Sequence, residues 1–263
     1  MRSRSYLVGL AVIPALLLLG ACGTDLGAPS DEDQQINLDV AYYTADATVD
    51  DIVLMTTEAD ITLHPNFHDQ NGCTRLGLFR IRCPEKHFGD NVNFTREVKF
   101  YDEDGRVMEF FHRELTEAVN IVVAFKGSRT RENVEITIDR NRDMTVSNLL
   151  GADTARIWNG TGTADVNRTR HSDENGDRVY DMSSSGTVDS VVIPVPRENN
   201  WPLSGTITRE VTVEVVGGIQ DDRTRSRTAV IEFNGTQFAT ITINGETFTF
   251  DLETRTVVRD EEG

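Results

Sequence analysis

Three of the chain's five histidines, His64, His68 and His87, share one segment and are interleaved with Cys73 and Cys83. Imidazole nitrogen and thiolate sulfur are ligands that zinc takes tetrahedrally. A metal centre, and with it a metal-dependent hydrolase, is therefore one chemistry these residues offer. The competing chemistry is oxidation, because two thiols ten positions apart in an exported chain close a disulfide. His68 with Asp69, and His112 with Glu114, would serve as acid–base pairs only if a cleft assembled them, and no pattern in the sequence builds one.

The choice between metal and disulfide depends on where the chain resides. Arg2 and Arg4 precede an apolar run, Tyr6–Leu19, that ends in Leu19-Gly20-Ala21-Cys22. A helix of about 14 residues reaches only ~21 Å, short of the ~30 Å hydrocarbon core, so the run reads as a cleaved export signal. Leucine, two small residues and a cysteine in that place resemble the lipobox of bacterial lipoproteins. The resemblance covers residues 1–22. It implies cleavage before Cys22, a thioether lipid on its sulfur and acylation of the new amino terminus. Two or more acyl chains hold a protein stably at a bilayer where one does so only marginally. Gly23 rather than Asp follows the cysteine, which favours the outer membrane over the inner one. An exported chain in turn favours the Cys73–Cys83 disulfide over a metal site at His64, His68 and His87.

Other motifs are weaker. Asp173-x-Asn175-x-Asp177 resembles the start of a calcium-binding EF-hand loop, but Arg178 stands where glycine is needed and Ser184 where the closing Glu is needed. Gly176 sits where a hairpin turn requires it. Neither a Gly-x-Ser-x-Gly elbow, a phosphate-cradling loop nor a His-Glu-x-x-His helix occurs. No catalytic residue and no cofactor is expected from these patterns.

Charge narrows the partners. Without residues 1–21, the chain keeps 24 basic and 43 acidic residues, a net charge of −19. Nucleic acid is an unsuitable partner for such a chain, since phosphate recognition needs a basic patch. Residues 22–74 hold eleven acidic residues and no Lys or Arg. They read as a solvated acidic stretch in preference to a segment docked near Arg75, Arg80, Arg82 and Lys86. Residues 22–36 read as a flexible tether, too poor in apolar side chains to offset their ordering entropy.

The elements that would position any site follow from periodicity. Residues 37–92 form a leading segment with one short helix, 46–56, started by Thr48 and Asp51 at capping-box spacing, and with the disulfide loop. Its Pro65–Asp90 stretch has weak strand patterning. Residues 93–258 form an antiparallel β domain, joined with 37–92 in one unit. Strands are expected at 96–100 and 106–112 around Asp102–Gly105, then at 120–126, 134–139 and 144–149 with breaks at Gly127-Ser128 and Asn141-Arg142. Two long strands, 153–170 and 178–192, flank another turn. Gly205–Val216 is the clearest strand, with Ile207, Val211, Val213 and Val215 on one face and only Arg209 breaking the apolar row. Asn244-Gly245 suits a type I′ turn that pairs Ile243 with Glu246, Ile241 with Phe248 and Ala239 with Phe250. A second turn at Asn234-Gly235 would pair Ile231 with Phe238 and put Ile231 on the opposite face from Ile241. Trp158 and Trp201 are read as packing residues.

The expected fold is all-β: a large curved antiparallel meander, half-barrel or barrel-like, with at most one short helix near the N-terminus. In outline this is similar to the carrier proteins that shuttle lipoproteins, although no motif of that family occurs here. The expected function is a lipid-anchored, non-enzymatic structural or interaction module of the bacterial envelope, on the periplasmic or surface face of the outer membrane. Its partners would be the membrane, through Cys22, and another envelope protein. The alternatives are a carrier of an apolar ligand on the concave face of the sheet and, less favoured, the metal-dependent hydrolase.

Overall fold

The computed structural model describes residues 31–63, 72–77, 80–87, 92–131, 134–150, 154–170, 178–195, 201–217 and 222–260. After one helix, α1 (Asp31–Thr62), the chain is a succession of strands. These are β1 (Thr74–Leu76), β2 (Arg80–His87), β3 (Val92–Tyr101), β4 (Val107–Met108), β5 (Ala118–Arg131), β6 (Val134–Ser147) and β7 (Ala155–Arg170). They continue as β8 (Arg178–Pro194), β9 (Ser204–Gly217), β10 (Arg223–Glu232), β11 (Phe238–Ile243), β12 (Glu246–Asp251) and β13 (Thr256–Arg259). All thirteen strands belong to one antiparallel sheet in chain order, with β4 extending the β2 side of β3. The sheet does not close into a barrel; β1 and β13 are its two edges.

Alternation sorts the strands. One face buries Val119, Ile121 and Val123 on β5, Met144 and Val146 on β6, and Ile207, Val211, Val213 and Val215 on β9. Trp158 of β7 is buried in the same layer, and α1 lies on that face, so helix and sheet share a single apolar cluster. A bulge at Asp189–Val192 resets the alternation of β8, so that Val188 and Val191 both point into the core.

The helix is much longer than the pattern at 46–56 suggested: it has 32 residues and begins at Asp31, inside the stretch read as tether. Two physical features account for this. Three acids, Asp31, Glu32 and Asp33, occupy its first turn, where the helix dipole favours negative charge. Arg227 of β10 then donates to Asp33 at 2.7 Å and to Asn37 at 2.5 Å, while Arg259 of β13 donates to the backbone oxygen of Gln34 at 2.7 Å. Thr48 is therefore a buried residue in mid-helix and not a cap.

Several strand boundaries also shift. Gly127-Ser128 and Asn141-Arg142 interrupt nothing: β5 and β6 run through them as a continuous ladder from Val119↔Val146 to Arg131↔Val134. Residues 109–112 lie outside any strand, although the 101–107 turn forms, with Asp102 accepting from the backbone N–H groups of Asp104 and Arg106. Part of the weakly patterned 65–90 stretch is the β1–β2 hairpin. At Asn234-Gly235 the chain makes a longer loop, held by the Asn234 and Thr236 side chains. Ile231 therefore pairs with Ile241, on the same face, and Phe238 is left exposed. The turn at 173–177 lies outside the described residues.

Candidate functional site

One row of inner-face positions organises the molecule. Successive cross-strand partners are Cys83, Arg96, Val123, Arg142, Gly162, Gly186, Arg209, Ala229 and Ile243, from β2 to β11. Three arginines in an otherwise apolar layer would be intolerable unless each charge were matched, because an isolated buried cation costs several kcal/mol. The helix supplies the match. Asp51 sits between Arg142 and Arg209, accepting from Arg142 Nε at 2.7 Å and from an Arg209 Nη2 at 2.5 Å. Glu58 accepts from Arg96 Nη2 at 2.6 Å.

The spacing on the two elements agrees. Asp51 and Glu58 are seven residues apart, about 10.5 Å along a helix. The strands of Arg142 and Arg96 are two ladder steps apart, about 9.6 Å. The two glycines make the space for the arginine side chains that reach Asp51. A Cβ on Gly162 would lie 2.5 Å from Arg142 Cδ, and one on Gly186 would lie 2.9 Å from the Thr208 carbonyl oxygen. Side chains there would displace the guanidinium groups that grip the helix.

The two helix acids respond oppositely to burial. Burial alone would raise Asp51, but the guanidinium groups of Arg209 and Arg142 outweigh it and hold the carboxyl below its usual range. At Glu58 burial wins over its one close partner, Arg96, and the carboxyl is raised. Both acids and all three arginines are buried, so this constellation clamps α1 and presents no reactive group to solvent.

The docked acids overturn the reading of residues 22–74 as a solvated acidic stretch: Asp33, Asp50, Asp51 and Glu58 all pair with arginines. The basic face they meet is the sheet interior. Arg75, Arg80 and Arg82 are engaged elsewhere, by Glu109 and Glu97.

Next to the clamp, α1 and the sheet part to leave a cleft of about 950 Å³. Its floor is apolar: Phe125 of β5, Ile136 and Ile138 of β6, Val166 of β7 and Met182 of β8. Tyr42, Tyr43 and Asp46 of α1 line the opposite wall, with Arg255 of the β12–β13 turn. Tyr43 is fixed by a 2.8 Å hydrogen bond with Ser184, and Asp50 is held by Arg140 at 3.1 Å and Arg255 at 3.3 Å. Burial raises the Asp46 carboxyl against the opposing pull of Arg255. A cavity of this size, apolar below and polar at its walls, is fit to hold a small amphiphilic molecule.

The residues singled out from the sequence fall elsewhere. Cys73 and Cys83 stand as a disulfide that ties the approach to β1 onto β2. Cys22, His64 and His68 lie outside the described residues, and His87 ends β2. Among the described residues no group of three His, Cys, Asp or Glu is placed to hold a metal ion. His112 accepts from the backbone N–H of Glu114 at an exposed turn, away from the cleft. Of the clamp, Arg209 carried a visible signal as the one charge in the apolar row of β9. Arg96 and Arg142 carried a weaker one, since Arg96 opens its expected strand and Arg142 falls in an expected break. Neither a family model, a curated protein nor a solved structure matches this chain.

Proposed function

We propose that the protein is a lipid-anchored, non-enzymatic binding module of the bacterial envelope whose ligand occupies the cleft between α1 and β5–β8. The lipobox-like Leu19–Cys22 supports the anchor. The cleft carries the binding part of this reading. The helix fills most of the inner face with its own side chains, yet an apolar floor next to it stays uncovered. Exposed apolar surface lying in a concavity marks a ligand site more often than a defect. The clamp suits the same role: a helix pinned by buried charge pairs gives the cleft a fixed wall, so little ordering is required on binding.

Two measurements test the proposal. Mass spectrometry of the mature amino terminus is expected to find Cys22 acylated; an unmodified, uncleaved start removes the anchor. A neutral apolar fluorophore such as N-phenyl-1-naphthylamine is expected to brighten with the native protein. Val166→Trp, which fills the floor, should abolish that signal. Equal brightening by both proteins places the dye elsewhere.

A second reading, docking onto another envelope component, is favoured by the exposed Leu76 and Phe110 beside the open edge strand β1, where Arg75 lies 5.0 Å from the Phe110 ring. Site-specific cross-linking in cells that depends on Phe110 and not on Val166 selects that reading.

A further inference from the structure

Two inner-face rows beyond the clamp carry a second pattern. Beyond the row of Arg140, which lies next to the clamp, Ile138, Val166, Met182 and Val213 run in register to Arg225 of β10. In the next row Ile136, Arg168, Tyr180 and Val215 run to Arg223. Among the described residues, no carboxylate occupies a position in these rows. The sheet therefore passes, within about 7 Å along its strands, from a bare apolar floor to a margin marked by Arg168.

The acids that face the margin come from the helix, and they are engaged. Asp50 pairs with Arg140 and Arg255, and Asp46 lies 3.6 Å from Arg255. Asp39 accepts from Gln35. Arg168 lines the cleft and, among the described residues, makes no hydrogen bond or ion pair, although Asp46 is close enough to feel its charge. A guanidinium at the end of an apolar floor matches a planar or tetrahedral anion attached to an apolar tail, and phosphate is the anion it binds bidentately.

We infer that the cleft takes a phosphate-headed lipid, its acyl part on the Ile138–Val166–Met182 floor and its phosphate at Arg168. This rests on the ligand-binding reading of the cleft given above and adds the head-group class.

The test uses the mature lipidated protein, released from micelles of a nonionic detergent and examined by native mass spectrometry. Three probes are titrated: dioctanoyl phosphatidylglycerol, dioctanoylglycerol with the same tails and no phosphate, and glycerol 3-phosphate with no tails. One phosphatidylglycerol per chain is expected, bound about tenfold or more tightly than dioctanoylglycerol, as one charge-assisted contact predicts. Arg168→Ala should erase that difference and leave dioctanoylglycerol binding unchanged, and Val166→Trp should remove both lipids. Equal binding of the two lipids by the native protein overturns the head-group assignment while leaving an apolar-ligand cleft standing. Glycerol 3-phosphate bound as tightly as the lipid, or phosphatidylglycerol still bound by Val166→Trp, overturns the lipid itself. No adduct with either lipid removes both this inference and the reading beneath it.

Discussion

From the row of Arg142 and Arg209 the inner face continues in two directions. One step away from the β11–β12 turn, the row Ile121, Met144, Gly160, Val188, Ile207, Ile231, Ile241 and Phe248 is apolar across eight strands, and its side chains are buried. Two steps in the other direction, Ile138 and Val166 belong to the same strands β6 and β7, have similar size and chemistry, and line an open cleft. The difference lies in what covers them. The first row is closed over by α1 and the curl of β9–β13, to which the helix lies closest; the second runs past the helix into the long β5–β6 and β7–β8 hairpins. Apolar side chains in a β-sheet thus indicate which face is inner, while coverage by another element decides whether they act as core or as a binding floor.

The largest expected effect separates the two directions by stability. Phe248→Ala in the closed row should cost about 3–5 kcal/mol, because the cavity left by a fully buried ring cannot refill. Ile138→Ala on the cleft floor should cost about 1 kcal/mol, since part of the side chain already faces open space. Denaturant midpoints for the two variants measure both values. Equal losses would mean that the cleft is collapsed in solution and is part of the core.

Next comes the clamp that divides the directions. Asp51→Asn leaves Arg142 and Arg209 buried with their shared counter-charge removed, at a cost of about 3 kcal/mol near neutrality. The sign of its pH dependence follows from the lowered carboxyl. Asp51 contributes stability above the ordinary aspartate range, and that contribution is lost as pH falls through its depressed folded value. The penalty of Asp51→Asn should therefore shrink on acidification. Glu58 is raised, so its contribution is present at low pH and is lost as pH rises through the folded value. The penalty of Glu58→Gln should shrink in the opposite direction, towards neutral pH. Midpoints of unfolding followed against pH for the two variants should slope in opposite senses; parallel slopes would show that the clamp titrates as one unit.

The closed direction was also the legible one. The Asn244-Gly245 turn, with φ of 50° and 86°, forms as its sequence requires, and Ile243↔Glu246, Ile241↔Phe248 and Ala239↔Phe250 pair in the register that the alternation demands. Gly245→Ala should cost about 1 kcal/mol through backbone strain alone, because no atom crowds a Cβ there. The antiparallel meander was legible for the same reason: period-two alternation is a local property. The helix was not. Its buried face mixes Ala41, Thr44, Ala45, Thr48, Asp51 and Glu58 with few large apolar groups, so periodicity had little to detect. The partners that make this face favourable are arginines 91 and 158 positions away from Asp51. Arg209 was visible as a flaw in an apolar strand and each acid as part of a charged segment. Their meeting depends on how strands far apart in the chain line up, which no short window contains.

The smallest expected effect concerns the margin of the cleft. Arg168 lies on the same inner face as Arg142 and Arg209, yet it is exposed and, among the described residues, unbonded. Removing it leaves no buried charge behind, so Arg168→Ala should change stability by less than about 0.5 kcal/mol. Arg209→Ala, which strands the fully buried Asp51 with one partner, should cost several times more. Thermal unfolding of the two variants decides the point. Should Arg168→Ala prove as damaging as Arg209→Ala, Arg168 is a second clamp for the helix, and the margin is structural. With folding indifferent to Arg168, a guanidinium facing an apolar cleft has no structural work to perform, and the physical reason for its place must be sought in what the cleft receives.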